Sequence, residues 1–253
     1  MSYLTLSLTL IFVLIPLILS KTLKLGLEKD TLIATVRSII QLLVVGYILH
    51  YVFEAEHIIF MLLMILLMIG AATQNARKKG SAIQGITWKL FVAFIVIEVL
   101  TQSILLGLQI VPPTPQYIIP ISGMVIGNSM VLGILFLNRF TAEIENHQDE
   151  TELILSLGGT PKQAIHNQLI TSIKASTIPT IESQKTIGLV QLPGMMSGQI
   201  IAGADPVQAV QFQLLILFLL LTTAVVTSII LGFLSYPTLF NKRMQFLKLK
   251  NKE

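Results

Sequence analysis

The sequence predicts an all-α integral membrane protein of about seven transmembrane helices, and three observations carry that expectation. The 253 residues are 53% hydrophobic and only 12% charged, where soluble domains carry roughly a quarter charged residues. Apolar stretches long enough for a bilayer core recur along the chain. Lysine and arginine fall on alternate connections between those stretches. Mean hydropathy is +0.79. With no cysteine, neither a disulfide framework nor a thiolate metal site is available. A net charge of +4 would point weakly to nucleic acid in a soluble protein. Here its placement matters more, and nucleic acid is not an expected partner.

The first stretch, Tyr3 to Ser20, lacks a basic n-region and an A-x-A-like cleavage site, so it reads as a retained helix rather than a signal peptide. The others run from Thr31 to Phe53, His57 to Thr73, Ile86 to Leu108, Tyr117 to Leu137, Ile181 to Ala202 and Val207 to Leu234. The sixth is the weakest, because Pro193-Gly194 interrupts it and Gln191 and Gln199 lie in it. Connections 1–2, 3–4 and 5–6 and the tail hold the basic residues, among them Lys21, Lys24, Arg77, Lys78, Lys79, Arg139, Lys242, Arg243, Lys248, Lys250 and Lys252. The opposite connections, "EAEH", "QIVPPTPQ" and "GADP", hold none. That asymmetry predicts an outer N-terminus and a cytoplasmic C-terminus in the cell membrane. The basic segments "SKTLKLGLEK" and "NKRMQFLKLKNKE" are expected along an anionic inner leaflet. No repeat or linker divides the chain, which reads as one membrane domain over residues 1–253.

The sizeable soluble connection, residues 138–180, is expected to be cytoplasmic and to carry a helical corner. The acidic stretch "TAEIENHQDETELILSL" reads as a helix that stops at Gly158-Gly159, a C-terminal signal. Thr160 then supplies an N-cap, Pro161 suits the first helical position and Gln163 completes a capping box.

That corner, with Glu152 six residues before Gly158 and "LGGTPKQA" following, resembles the coupling loop of ABC-transporter permeases. It departs from that pattern at Leu153-Ile154, where two alanines are usual, and at Ile170-Thr171, where Leu-Pro is usual. Over nearly the whole chain, "RSIIQLLVVGYIL", "IPISGMVIGNSM" and "TIGLVQLPGMMSGQIIAGADPVQAVQFQ" resemble the FetB-type permeases, described as the membrane half of an ABC iron exporter with plant relatives linked to aluminium tolerance. The resemblance implies a homodimeric permease working with two copies of a FetA-type ATP-binding subunit. Glu152, Gly158, Gly159, Thr160, Pro161 and Gln163 would meet that subunit. The chain has no G-x-x-x-x-G-K-[ST] loop of its own, so it is expected to be no enzyme and to bind no cofactor, using ATP through the partner.

Charges within spans are functional hypotheses by default. Glu98 lies near the middle of the fourth span with Gln102 one turn on, and Arg37 lies inside the second with Gln41 four residues on. Glu98 reads either as a structural group, paired with Arg37 or protonated within the bundle, or as a metal ligand or protonation site on the transport path. Arg37 reads either as a path residue or as a side chain snorkelling to the interface. Hard cations prefer oxygen donors, which Glu98, Gln102, Asn128, Gln191 and Gln199 could supply. The break at Pro193-Gly194 reads as a substrate site or gate hinge, or as a packing kink. Met61, Met64 and Met68 share a helical face, read as apolar filling ahead of soft-metal ligation. His50, Glu54, Glu56 and His57 form a solvated loop or an exit-side cation site.

The function expected is a permease exporting iron or another metal cation on ATP hydrolysed elsewhere. A proton-coupled secondary transporter and an ABC permease for an organic substrate, such as a nucleotide sugar, stand as alternatives. No H-E-x-x-H pair and no nucleophile elbow speaks for a membrane-embedded enzyme.

Overall fold

In the computed structural model, residues 9–55 and 57–247 are described. The opening of the expected first span, Glu56 and the tail from Lys248 onward lie outside the described residues. Among those described, the regular elements are helical, and the two β-bridges, Ile187 with Gln191 and Phe240 with Phe246, are isolated. The chain falls into two compact units, residues 1–57 and 58–253.

The first unit is a helical hairpin of α1 (Ile11–Thr22) and α2 (Glu28–Ala55). Its turn places Lys24 and Gly26 at φ of 52° and 71°. Ser20, buried, closes it by accepting from the Leu27 N–H at 3.1 Å and donating to Glu28 Oε1 at 2.8 Å. Along α2 only Val52 is buried. Such a helix, largely apolar through its middle apart from Arg37 and Gln41 and about 42 Å long at 1.5 Å per residue, is long enough to cross a bilayer.

The second unit holds α3 (Ile58–Ala76), α4 (Ile86–Gly107), α5 (Pro115–Asn146), α6 (Gln148–Ser156), α7 (Pro161–Ala164), α8 (His166–Thr186), α9 (Gly194–Ile201) and α10 (Pro206–Ser235), closed by a 3₁₀ turn, Tyr236–Leu239. Two of the long helices open on sequence-encoded starts. Pro115 follows Thr114 at the head of α5. Asp205 caps α10, its Oδ1 accepting from the Val207 and Gln208 N–H groups at 2.9 and 3.1 Å, with Pro206 at the first position. The central helix is α5, which packs on α3, α4, α8 and α10. Its Phe136 and Phe140 are fully buried and stacked with centroids 5.3 Å apart. Gly232 lets α10 approach closely: a Cβ there would lie 2.5 Å from Leu169 Cδ1 and 3.3 Å from Phe136 Cζ.

Five described helices are long and apolar enough to cross a membrane: α2, α3, α4, α5 and α10 with its 3₁₀ extension. Two expectations change. The sixth span, Ile181 to Ala202, is not one helix: its first residues end α8, residues 187–193 are irregular, and α9 is only eight residues long. Pro193 does not kink a helix but precedes one, as the N-cap of α9. The connection of residues 138–180 is helical, as expected, but its helices are longer and differently divided, with α5 running to Asn146 and α8 starting at His166. The acidic helix is itself split at His147, whose backbone leaves helical geometry at φ −120° and ψ 33°. Hydropathy underrated α8 because its buried Ser172, Ser176 and Thr177 satisfy their hydroxyls internally. Ser172 donates to Gln168 O, Ser176 and Thr177 donate to Ile173 O, and Ser176 meets Ser228 of α10 at 2.8 Å.

Candidate functional site

Within α4, Glu98 sits about 18 Å from the helix start, counted at 1.5 Å per residue, and is 5% exposed. Its neighbours on the same helix are fully buried, Ile97 on one side and Thr101 a turn later. From α5, Ser122 reaches the same point. Glu98 Oε1 accepts from the Ser122 hydroxyl and from Gln102 Nε2, the latter at 2.9 Å, and Gln102 Nε2 also lies 2.9 Å from Ser122 Oγ. This closed triangle leaves Glu98 Oε2 and Gln102 Oε1 buried without a partner. An isolated carboxylate in such surroundings is costly unless a cation or a proton joins it. The knot thus offers a carboxylate, an amide oxygen and a hydroxyl, the oxygen donors a hard cation prefers.

Ser122 was missing from the sequence-based set, although it lies in the quoted "IPISGMVIGNSM". The available signal was its spacing: Ser122 and Ser129 are seven apart on α5, both wholly buried on the face that meets its neighbours. Asn128 is not part of the knot. It donates to Thr223 Oγ1 at 2.8 Å and Leu220 O at 3.2 Å, tying α5 to α10. Arg37 and Gln41 belong to the first unit, exposed on one face of α2, where with Leu32, Ile33, Val36 and Ile40 they line a hollow of about 420 Å³.

Around the break, Gln191 is exposed and its carbonyl accepts from the Gly188 N–H at 3.0 Å, with Gly188 at φ +88°. Pro193 and Gln199 are half-buried and Gly194 is exposed. The following helix α9 seats Met195 against a cluster containing Ile97, Ile121 and Ile216. The break and the Glu98 knot are therefore flanked by one shared apolar cluster, contributed by α4, α5 and α10.

The second candidate region is the corner after α5. Helix α6 ends in a Schellman motif: the Gly158 N–H donates to Leu155 O at 3.0 Å and the Gly159 N–H to Ile154 O at 2.9 Å, with Gly158 at φ +88°. The capping box is complete. Thr160 Oγ1 accepts from the Gln163 N–H at 3.4 Å and Gln163 Oε1 from the Thr160 N–H at 2.9 Å. Glu152, Gly158, Thr160 and Gln163 are exposed, while Ala164 and Ile165 are buried. Lys162 reaches over the Phe233 ring at 5.7 Å, and Thr160, Pro161 and Lys162 share a cleft with Tyr236, Pro237 and Phe240, so the corner rests on the end of α10.

Among the described residues, no group of three or more His, Asp or Glu could hold a metal ion. His50 and Glu54 form an exposed pair at 3.5 Å. Met61 and Met64 are buried, and Met68 approaches the Gly123 position, which is how apolar filling between α3 and α5 looks.

The family model described as "Uncharacterised protein family (UPF0014)" matches residues 3–240. The chain is 57% identical, over 97% of its own length and 98% of the relative's, to "UPF0014 membrane protein YjkA" of Bacillus subtilis. It is 40% identical to "Probable iron export permease protein FetB" of Escherichia coli, covering 96% of this chain and 94% of that one. To "Protein ALUMINUM SENSITIVE 3" of Arabidopsis thaliana it is 32% identical, covering 93% and 86%. No solved structure matches the chain.

Proposed function

We propose that this chain, a multi-pass membrane protein that belongs to the UPF0014 family, is the permease subunit of an ABC transporter that exports a metal cation, iron being the species named for its Escherichia coli relative. In this reading two copies assemble with two FetA-type ATP-binding subunits, and the corner at Gly158-Gly159 lies on the cytoplasmic side. The observation that carries the reading is that corner: a rigid, doubly capped helix–Gly-Gly–helix element, exposed on its polar side and braced against α10. A short exposed helical elbow of this kind fits a groove in a soluble partner, and a braced one transmits the partner's motion.

The break supports a path through the same bundle. Gln184 Nε2 donates to Leu217 O at 2.9 Å, which sets the end of α8 beside a point about 17 Å along α10, at 1.5 Å per residue. If α10 spans the bilayer, residues 187–193 lie at membrane depth. Non-helical backbone is tolerated there only against protein or a watery cavity. Its exposed Leu189, Val190 and Leu192 suit a second copy.

The test is co-purification and transport. A tagged chain should bring down an ATP-binding subunit, and the pair in proteoliposomes should move iron only with ATP. Absence of any captured ATPase, with transport surviving ATP depletion, would overturn the proposal. A proton-coupled carrier is the second reading, favoured by the unpartnered Oε2 of Glu98. It requires transport to collapse with the proton gradient.

A further inference from the structure

We infer that the α3–α4 connection and the segment after α10 form a binding site for a phosphate group, with Lys89 as its cation. The inference stands apart from the exporter reading. Lys89 is 8% exposed. Its Nζ donates to Thr238 Oγ1 at 2.6 Å, and that hydroxyl in turn donates to Ser235 O at 2.8 Å. Lysine carries three N–H donors, so a single neutral acceptor leaves two unused. Among the described residues no carboxylate lies within ion-pair distance of Lys89. A buried cation without an anion is strongly unfavourable, and what is missing is a negative charge.

The space for one is present. A cavity of about 510 Å³ is lined by Ser81, Gln84, Gly85, Thr87, Thr238 and Leu247, among others. The start of α4 opens on it: Gly85, at φ +70°, precedes the helix and no side chain caps it, which leaves first-turn N–H groups for an anion. The exposed Arg77, Lys78 and Lys79 enter this region along the chain, and the exposed Lys242 and Arg243 leave it. Several donors around one cavity, with the Lys89 ammonium bonded to the Thr238 hydroxyl that lines it, suit an anion of several oxygens. Two sources share that chemistry: a soluble phosphate, and a phospholipid headgroup whose chains would run beside Leu239 and Leu247.

The purified full chain in phosphate-free sugar-detergent micelles tests the site by thermal unfolding. One arm titrates inorganic phosphate against chloride at equal ionic strength; the other titrates phosphatidylglycerol. We expect a saturable rise of the midpoint with at least one probe. Lys89→Met should weaken that response about tenfold or more, the worth of a hydrogen bond to a charged group. Gln84→Glu, an isosteric change at an exposed position, should weaken it as well by setting a negative charge in the cavity. A response to phosphate alone assigns a soluble ligand, and a response to the lipid alone assigns a headgroup. A midpoint moved by neither probe, or moved equally in wild type and Lys89→Met, overturns the site. Should Lys89→Met fail to fold, an undiminished response in Gln84→Glu overturns it.

Discussion

Gly158 and Gly159 stand side by side for different reasons, and substitution separates them. At Gly158 a Cβ would meet nothing within 4 Å, but φ is +88°. Alanine there should cost about 1–2 kcal/mol, the left-handed penalty, and asparagine less, since it tolerates that region. At Gly159 the φ is not left-handed, yet a Cβ would sit 2.6 Å from Ile154 Cγ2 and 2.8 Å from the Ile154 carbonyl oxygen. That carbonyl accepts the Gly159 N–H, so the added methyl pushes away the bond that holds the turn. Overpacking of this sort costs about 1–3 kcal/mol. Hydrogen exchange over residues 153–163 of the purified chain reads both effects locally, with each ~1.4 kcal/mol appearing as roughly tenfold in the opening equilibrium. The expected order of protection is wild type, Gly158→Asn, Gly158→Ala, Gly159→Ala. Adding Ile154→Ala to Gly159→Ala should restore only part, because the methyl leaves and the backbone oxygen stays. Wild-type exchange in Gly159→Ala would refute the reasoning. Under the proposed coupling, capture of the ATP-binding subunit falls in the same order.

Thr160→Ala removes the acceptor for the Gln163 N–H and should cost about 1 kcal/mol, seen as faster exchange at that amide with the bundle unchanged. Glu98→Gln keeps the shape of the knot and removes its charge. Iron export should be lost while the thermal midpoint holds or rises, and retained export would discard Glu98 as a ligand. Ser122→Ala takes one donor from Glu98 Oε1 and should weaken iron export without abolishing it, in the same assay. Gly232→Ala should destabilise by about 1–3 kcal/mol through overpacking. Leu169→Ala in that background should recover part of the thermal midpoint, because the 2.5 Å contact is to the end of a side chain.

How far the sequence could be read depended on whether each signal was local. The corner was legible to the residue, because Gly158, Thr160, Pro161 and Gln163 act within one turn of themselves. Long apolar helices were legible because hydropathy needs only composition. Helix α8 was not, because its serines and threonines bond to their own backbone and to Ser228 only once packed. Pro193 could be seen to interrupt something, but whether it kinks a helix or starts one depends on the chain before it. In the candidate site, Glu98 and Gln102 were paired by helical spacing. Ser122 arrives from 24 residues further on, through helix packing that no spacing rule encodes. Asn128 carried the right atoms for a ligand set, yet its partners on α10 assign it to packing.

The arrangement of α5 connects the two candidate regions. The knot draws Glu98 and Gln102 from α4 and Ser122 from α5, so it holds only while those helices keep their register. Of the two, α5 alone leads toward the corner, which follows it through the break at His147 and α6. From Ser122 to Asn146 it runs unbroken for about 36 Å at 1.5 Å per residue. Pro120, the one proline inside it, lies on the far side of Ser122, so any bend it introduces falls outside the lever arm. A tilt passed from Gly158-Gly159 through α6 and the break at His147 to the end of α5 would therefore reach Ser122 as rigid motion from Asn146 onward, while Glu98 stays with α4. Among the bonds such a tilt stretches, together with that of Gln102 to Ser122, is the one from the Ser122 hydroxyl to Glu98. Releasing it frees another lone pair on a carboxylate that already has one oxygen unpartnered. In the proposed transport cycle, the affinity of the knot for a cation thus changes with the position of the corner, without any residue of the knot touching the ATP-binding subunit.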